Sequence, residues 1–249
     1  MILTCKINFP HDPYTYSFIS LDLHILHALP EVDYSYVSCG GTLISSKFVV
    51  TAGHCVDIIP VAEVKLGAHY LSSQLNNAVY PVEKTFLHEK YDKAEIKSDI
   101  ALLKLGRKVQ FTNFIQPICL PIKQYWQHDF AQAIATVAGW GYYTYTTGKD
   151  PKLSTVLRKL KVKVWSQAEC LDYDPEVEKQ ICAGGEKGKD SCNGDSGGPL
   201  VWKNNDTRKH YLIGLVSYGT PECGIGSPGI YTRITAYLPW IIARMAYEV

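Results

Sequence analysis

Apolar and charged residues alternate along Leu160-Lys161-Val162-Lys163-Val164. That period of two predicts a strand with one dry and one wet face. Further strand candidates are Phe48–Thr51, Ala135–Ala138, Pro199–Trp202, Tyr211–Ser217 and Gly229–Ile234, each flanked by Gly, Pro, Asn or Asp. A different period appears near the C-terminus. Leu238, Ile241, Ile242 and Met245 stand at i, i+3, i+4 and i+7, which predicts one amphipathic helix. Many short strands and one terminal helix predict an all-β barrel or sandwich. Residues 1–38 are rich in Tyr, His, Pro and Leu and show no clear period. No internal repeat or low-complexity tract interrupts the chain.

Composition narrows the picture. The 249 residues allow one large domain or two joined halves. With 46% hydrophobic and 20% charged residues, the chain can bury a real core. A net charge of +1 gives no pull toward nucleic acid or anionic membranes. No apolar run is long enough to predict a membrane span. The eight cysteines are Cys5, Cys39, Cys55, Cys119, Cys170, Cys182, Cys192 and Cys223. Their even number allows a disulfide framework, with about 105 full pairings. No CxxC pair exists and His54-Cys55 lacks a second close ligand pair, so no metal site and no cofactor are expected. Disulfides would place the protein in an oxidising, extracellular compartment. The opening Met1-Ile2-Leu3-Thr4-Cys5, followed by Lys6, Asn8 and Pro10, does not read as a signal peptide.

Three segments carry candidate chemistry. In Gly194-Asp195-Ser196-Gly197-Gly198-Pro199, glycines can hold a serine in a tight turn with its hydroxyl exposed. The N–H groups of Gly194 and Ser196 could then form an oxyanion hole. A plain Gly-rich surface turn is the competing reading. Thr51-Ala52-Gly53-His54-Cys55 follows an apolar strand and offers a fixed imidazole; a structural histidine at a strand end is the alternative. Ser98-Asp99-Ile100-Ala101-Leu102-Leu103 heads an apolar run with one carboxylate, which burial would oblige to hydrogen-bond. A turn residue opening a strand is the alternative there.

Taken in the order His, Asp, Ser, these stretches resemble the chymotrypsin/trypsin serine proteases. Gly139-Trp140-Gly141, Ser217-Tyr218-Gly219 and Pro228–Ile234 (PGIYTRI) strengthen the resemblance, which runs from about Cys39 to the C-terminus. It implies an all-β fold of two six-stranded antiparallel β-barrels with a C-terminal α-helix and a cleft between the barrels. Residues 39–115 would form the first barrel, residues 116–249 the second barrel and the helix, and residues 1–38 an atypical N-terminal segment. His54 would be the general base, Asp99 its orienter and Ser196 the nucleophile of an acyl-enzyme mechanism. Gly194 and Ser196 would supply the oxyanion amides.

The resemblance also implies specificity. Asp190, six residues before Ser196, would floor the pocket and select Arg or Lys. Ser191 would share the hydrogen bonding, and Ser217, Gly219 and Gly229 would line the walls. Tyr218 stands where the family usually has Trp. Partners would be protein or peptide substrates with Arg or Lys at the cut, and protein protease inhibitors. The implied disulfides are Cys39–Cys55, Cys170–Cys182 and Cys192–Cys223, which leaves Cys5 for Cys119. Leu66-Gly67-Ala68-His69 lacks the carboxylate of relatives that bind calcium there. Pro228 replaces the aromatic residue of sodium-activated relatives. Asn205-Asp206-Thr207 matches the N-glycosylation pattern.

The match breaks at the start. Family members free an Ile-Val-Gly-Gly terminus whose amine pairs with the residue before the nucleophile, here Asp195. No such motif precedes Cys39, and Phe9 to Tyr36 lacks the family's first-strand pattern. Without that amine, Asp195 would be buried with no partner. A catalytically silent homologue with a regulatory or binding role therefore stands beside the active endopeptidase. The stretch Glu222-Cys223-Gly224 before Pro228-Gly229 resembles arthropod extracellular cascade proteases.

Overall fold

The computed structural model describes residues 18–21, 39–58, 60–70, 78–122, 125–144, 152–173 and 176–248. Six strands build the first unit: β1 (Phe18–Leu21), β2 (Cys39–Leu43), β3 (Phe48–Thr51), β4 (Glu63–Leu66), β5 (Ala78–Leu87) and β6 (Ala101–Leu105). They close into an antiparallel barrel in the order β1-β2-β3-β6-β5-β4. Closure comes from β1, which pairs Phe18 with Thr42 on one side and Ile19 with Leu66 on the other. The first barrel thus takes a strand from the segment that the sequence reading set apart, and it begins before residue 39.

Strands β3 and β6 explain why parts of the barrel read as unbroken apolar runs. Val49, Leu103 and Leu105 face the barrel interior with Leu43, Val64 and Leu66. The alternate residues Phe48, Val50 and Leu102 face outward, but onto a second core made with Leu212, Leu215 and the C-terminal helix. Both faces are dry, so the polar half of the period disappears.

The second unit contains β7 (Ile134–Gly139), the short hairpin β8 (Tyr142–Thr144) and β9 (Lys152–Leu153), then β10 (Arg158–Lys163), β11 (Gln180–Gly184), β12 (Pro199–Lys203), β13 (His210–Tyr218) and β14 (Pro228–Arg233). Its sheet has six strands in the order β10-β7-β12-β13-β14-β11. A Val164–Ala183 bridge and the Trp165 N–H to Cys182 O bond of 2.9 Å join its outer strands. The sheet curls around Phe130, Val137, Val162, Ile181, Leu200, Ile213 and Tyr231. Two barrel-like antiparallel sheets and a terminal helix were the expectation, and this is the fold.

Helix α1 (Gln167–Cys170) is one turn, capped by Ser166. Helix α2 (Ile234–Tyr247) buries Ile234, Tyr237, Leu238, Ile241 and Met245 against the first barrel's outer face. Ile242, expected on that stripe, is 37% exposed. The dry stripe is turned away from Ile242 and starts one turn earlier than the sequence pattern alone suggested.

Candidate active site

His54 sits in the short 3-10 turn Gly53–Cys55 that follows β3. A disulfide from Cys55 to Cys39 ties this turn back to β2, with Cα atoms 6.1 Å apart. Gly53 leaves room for what lies behind it: a Cβ there would stand 3.2 Å from Asp99 Oδ1 and 3.0 Å from the Tyr91 ring. Burial against this wall, the nearby Asp99 carboxylate and other acidic groups push the Tyr91 hydroxyl up to about 12.

Asp99 is 2% exposed and precedes β6. Its two oxygens grip the histidine twice. Oδ1 accepts the His54 backbone N–H at 2.8 Å, and Oδ2 lies 2.8 Å from His54 Nδ1. The Ser217 hydroxyl donates to Oδ2 at 2.5 Å, and the Thr232 hydroxyl donates to the Asp99 carbonyl at 2.7 Å. Ser217 lies on β13 and Thr232 on β14. The carboxylate is therefore clamped between the two sheets. A carboxylate at Nδ1 holds the proton there and leaves the Nε2 lone pair free. Thr232 lies inside the PGIYTRI stretch, but no local signal in the sequence gives its partner 133 residues away.

Ser196 occupies the turn that leads into β12. Gly194 (φ +94°) and Gly197 (φ +73°) flank the Asp195-Ser196 pair in the left-handed region, where only glycine sits without strain. The Ser196 carbonyl accepts the Gly40 N–H at 2.6 Å, and the Gly197 N–H donates to Val216 O at 2.8 Å. Thr51, three residues before His54, donates its hydroxyl to Gly40 O at 2.8 Å. A Cβ on Gly40 would lie 2.9 Å from Gly198 Cα, so glycine is required for this contact between the units. The serine turn and the histidine turn are thus fixed to the same residue of β2. Among the described residues, neither the Gly194 nor the Ser196 N–H donates to a backbone carbonyl, which keeps both amides available to a ligand oxygen.

Asp195 does not lack partners. Its Oδ1 accepts the Gly141 N–H at 2.7 Å and its Oδ2 accepts the Cys192 N–H at 3.0 Å. This corrects the expectation of a partnerless carboxylate. Burial still pushes its pKa up; the two N–H bonds oppose that, and the Asp190 charge adds to it. The same carboxylate explains Gly139-Trp140-Gly141. A Cβ on Gly141 would fall 2.6 Å from Asp195 Oδ2, and Gly139 abuts the same group. Trp140 between them donates its indole N–H to His69 O at 3.2 Å, linking the two sheets.

Asp190 lies on the other side of the serine turn. Its Oδ2 accepts the Gly224 N–H at 3.0 Å, and burial raises its pKa. Ser191 Oγ pairs with the Tyr231 hydroxyl at 3.1 Å. A Cβ on Gly229 would stand 3.5 Å from Ser191 Oγ, and one on Gly219 would face Gly229 Cα at 3.9 Å. Gly219, Gly229, Ser191 and Asp190 therefore belong to one neighbourhood, with no side chain projecting from either glycine. The Cys192–Cys223 disulfide joins its two loops, and Cys170–Cys182 ties α1 to β11. Cys119 is disulfide-bonded, while Cys5, its expected partner, lies outside the described residues. Donor atoms of Cys39, His54 and Cys55 lie within 4.8 Å of one another, but the two sulfurs are bonded together and offer no thiolate to a metal.

The trypsin family profile matches residues 27–241. The chain belongs to the trypsin family. It is 37% identical over 231 residues to the CLIP domain-containing serine protease HP8 of Bombyx mori, covering 83% of this chain and 61% of that protein. Its identity is 38% over 226 residues to the proclotting enzyme of Tachypleus tridentatus, covering 84% and 59%. Against trypsin-1 of Astacus astacus it is 37% over 221 residues, covering 85% and 89%. The chain thus spans about 60% of the two longer relatives. A solved collagenase, HL collagenase, superposes with a TM-score of 0.76 at 31% identity, covering 94% of each chain. Two of these relatives, HP8 and trypsin-1, are proteases. Among the described residues, no helix is long and apolar enough to cross a membrane.

Proposed function

We propose that the chain is a serine endopeptidase that cuts after Arg or Lys through an acyl-enzyme. The observation that carries this reading is Asp99: a buried carboxylate that accepts from both the N–H and the Nδ1 of His54, with the Ser217 hydroxyl donating to its Oδ2 and the Thr232 hydroxyl to its backbone carbonyl. An imidazole fixed in that tautomer is a general base waiting for a proton. Ser196 is the group that supplies one. Its oxygen attacks the scissile carbonyl, His54 takes the proton and returns it to the leaving amine, and water then releases the acyl group. The Gly194 and Ser196 amides receive the developing oxyanion.

Asp190 supports the cation preference. Its carboxyl is partly desolvated and, among the described residues, receives hydrogen bonds from the backbone N–H groups of Gly224 and Ser191 alone, so a long cationic side chain entering between Gly219 and Gly229 gains its charge partner there. Asp195 is the proposed anchor for the amine of a new N-terminus, added to the Gly141 and Cys192 bonds it already has. The disulfides support an extracellular setting. Relatives named proclotting enzyme and melanization protease 1 support a place in a proteolytic cascade, with protein substrates and protein inhibitors as partners.

The test is hydrolysis of matched peptide amides ending in Arg, Lys or Glu. It uses the chain itself, a form with Ile-Val-Gly-Gly freed ahead of β1, and Ser196→Ala. Cleavage of the Arg and Lys amides alone, lost in Ser196→Ala, is the expected result. Silence of both folded forms would sink the reading in favour of a regulatory homologue. Cleavage of the Glu amide would refute the role given to Asp190.

A further inference from the structure

Asn205-Asp206-Thr207 is the single Asn-X-Ser/Thr pattern in the sequence, and the proposed chemistry makes no use of it. It lies in the turn between β12 and β13, closed by the Asn204 N–H to Lys209 O bond of 2.9 Å. Two asparagines stand side by side there with opposite fates. Asn204 is 9% exposed, and both ends of its side-chain amide are engaged. Its Oδ1 accepts the Thr207 N–H at 2.7 Å and the Thr207 hydroxyl at 3.0 Å, and its Nδ2 donates to the Tyr125 hydroxyl at 2.8 Å. Asn205 is exposed. The turn is built on one amide and presents the other to solvent.

Beside this turn lies a cluster of rings. Trp202, the last but one residue of β12, packs against Tyr125 at 5.3 Å, His128 at 5.9 Å, Phe130 at 5.3 Å and Tyr211 at 5.7 Å. Only Phe130 is fully buried; Trp126, next to Tyr125, is 40% exposed. Asn204 fixes the turn to this cluster through Tyr125. Flat, partly exposed rings with polar tips suit the apolar faces of sugar residues. At about 3.4 Å per residue along β13, the turn lies roughly 20–25 Å from Ser217 and the histidine clamp.

We propose that Asn205 carries an N-linked glycan whose inner sugars cover this ring cluster at the pole of the second sheet remote from the cleft. The disulfides independently place the chain in the oxidising compartment where such transfer occurs. The co-reactant is a lipid-diphosphate-linked oligosaccharide. The Asn205 amide nitrogen bonds to the sugar's anomeric carbon, the carbon–oxygen bond to the diphosphate breaks, the lipid diphosphate leaves, and the amide loses one proton.

The experiment compares intact masses of the full chain secreted from insect cells, before and after treatment with a peptide amidase that releases N-glycans. The wild type should lose one glycan and retain an aspartate at position 205. Asn205→Gln and Thr207→Ala should lack the added mass, and Thr207→Ser should keep it. Because Thr207→Ala also removes a bond to Asn204, Asn205→Gln is the deciding variant. Release should increase quenching of tryptophan fluorescence by acrylamide and leave turnover of a small peptide amide unchanged. An unmodified Asn205 in the secreted chain would overturn the site. A modified Asn205 whose release leaves quenching unchanged would overturn the covering of the rings.

Discussion

The Gly141 N–H meets Asp195 Oδ1 at 2.7 Å, and a Cβ on Gly141 would stand 2.6 Å from the Asp195 carboxyl carbon. Asp195 is the residue before Ser196, so this contact sets where the serine turn lies. Gly141→Ala should push the carboxylate away and disturb the Gly194 amide. A loss of about 10²–10³ in kcat, the scale of one missing oxyanion donor, is expected, with KM changed less. Steady-state kinetics on an Arg amide checks this. Overpacking should also cost about 1–3 kcal/mol of stability by denaturant unfolding.

Asp99→Asn keeps the shape of the clamp but presents an amide to His54 Nδ1. The histidine then adopts the wrong tautomer, and kcat should fall by about 10⁴. Ser217→Ala, which removes one donor from Oδ2, should cost far less, about 10- to 150-fold for the roughly 1.5–3 kcal/mol of a hydrogen bond to a charged group. Equal losses in the two variants would contradict the ranking.

Thr232→Val removes the hydroxyl that holds the buried Asp99 carbonyl at 2.7 Å. An unsatisfied buried acceptor costs about 1–3 kcal/mol, so the midpoint of urea unfolding should drop accordingly. Activity at low temperature should fall modestly, because the two side-chain contacts to His54 remain.

Asp190→Ser should cut kcat/KM for Arg and Lys amides by about 10²–10³, matching the roughly 3–4 kcal/mol tied to one partner of a buried charge pair. The wild-type pH dependence follows from burial, which raises the Asp190 pKa above its ordinary value. As pH falls toward that raised pKa, the carboxylate protonates before an ordinary aspartate would. Affinity for an amidine competitor should therefore weaken on acidification from a pH above the ordinary carboxylate range. Binding should release a proton within that window, because the cation favours the charged form. Isothermal calorimetry in two buffers of different ionisation heat measures the proton count.

Strands marked by a clean dry–wet alternation or by an unbroken apolar run were legible in the sequence. Leu160–Val164 falls in β10 almost as predicted, and Phe48–Thr51 is β3 itself. Strand β5 was not, because Pro81, Glu83 and Lys84 break its alternation and a bulge shifts its register between Val82 and Lys84. Strand β1 was hidden because it lies in a stretch of Tyr, His, Pro and Leu with no clear period, and its place is set by partners on β2 and β4. At the site, residue types and chain order pointed to His54, Asp99 and Ser196. The supports were invisible, since Thr232, Thr51 and the Gly141 N–H act through contacts 133, 11 and 54 residues away.

The central claim is a serine made nucleophilic by its surroundings, and covalent trapping tests it most directly. The folded chain, with an Ile-Val-Gly-Gly terminus freed ahead of β1, is treated with a fluorophosphonate and its intact mass measured. One adduct located on Ser196, absent in Ser196→Ala and strongly slowed in His54→Ala, is the predicted result. A folded chain that takes up no adduct, or takes it up on another residue, would contradict the account.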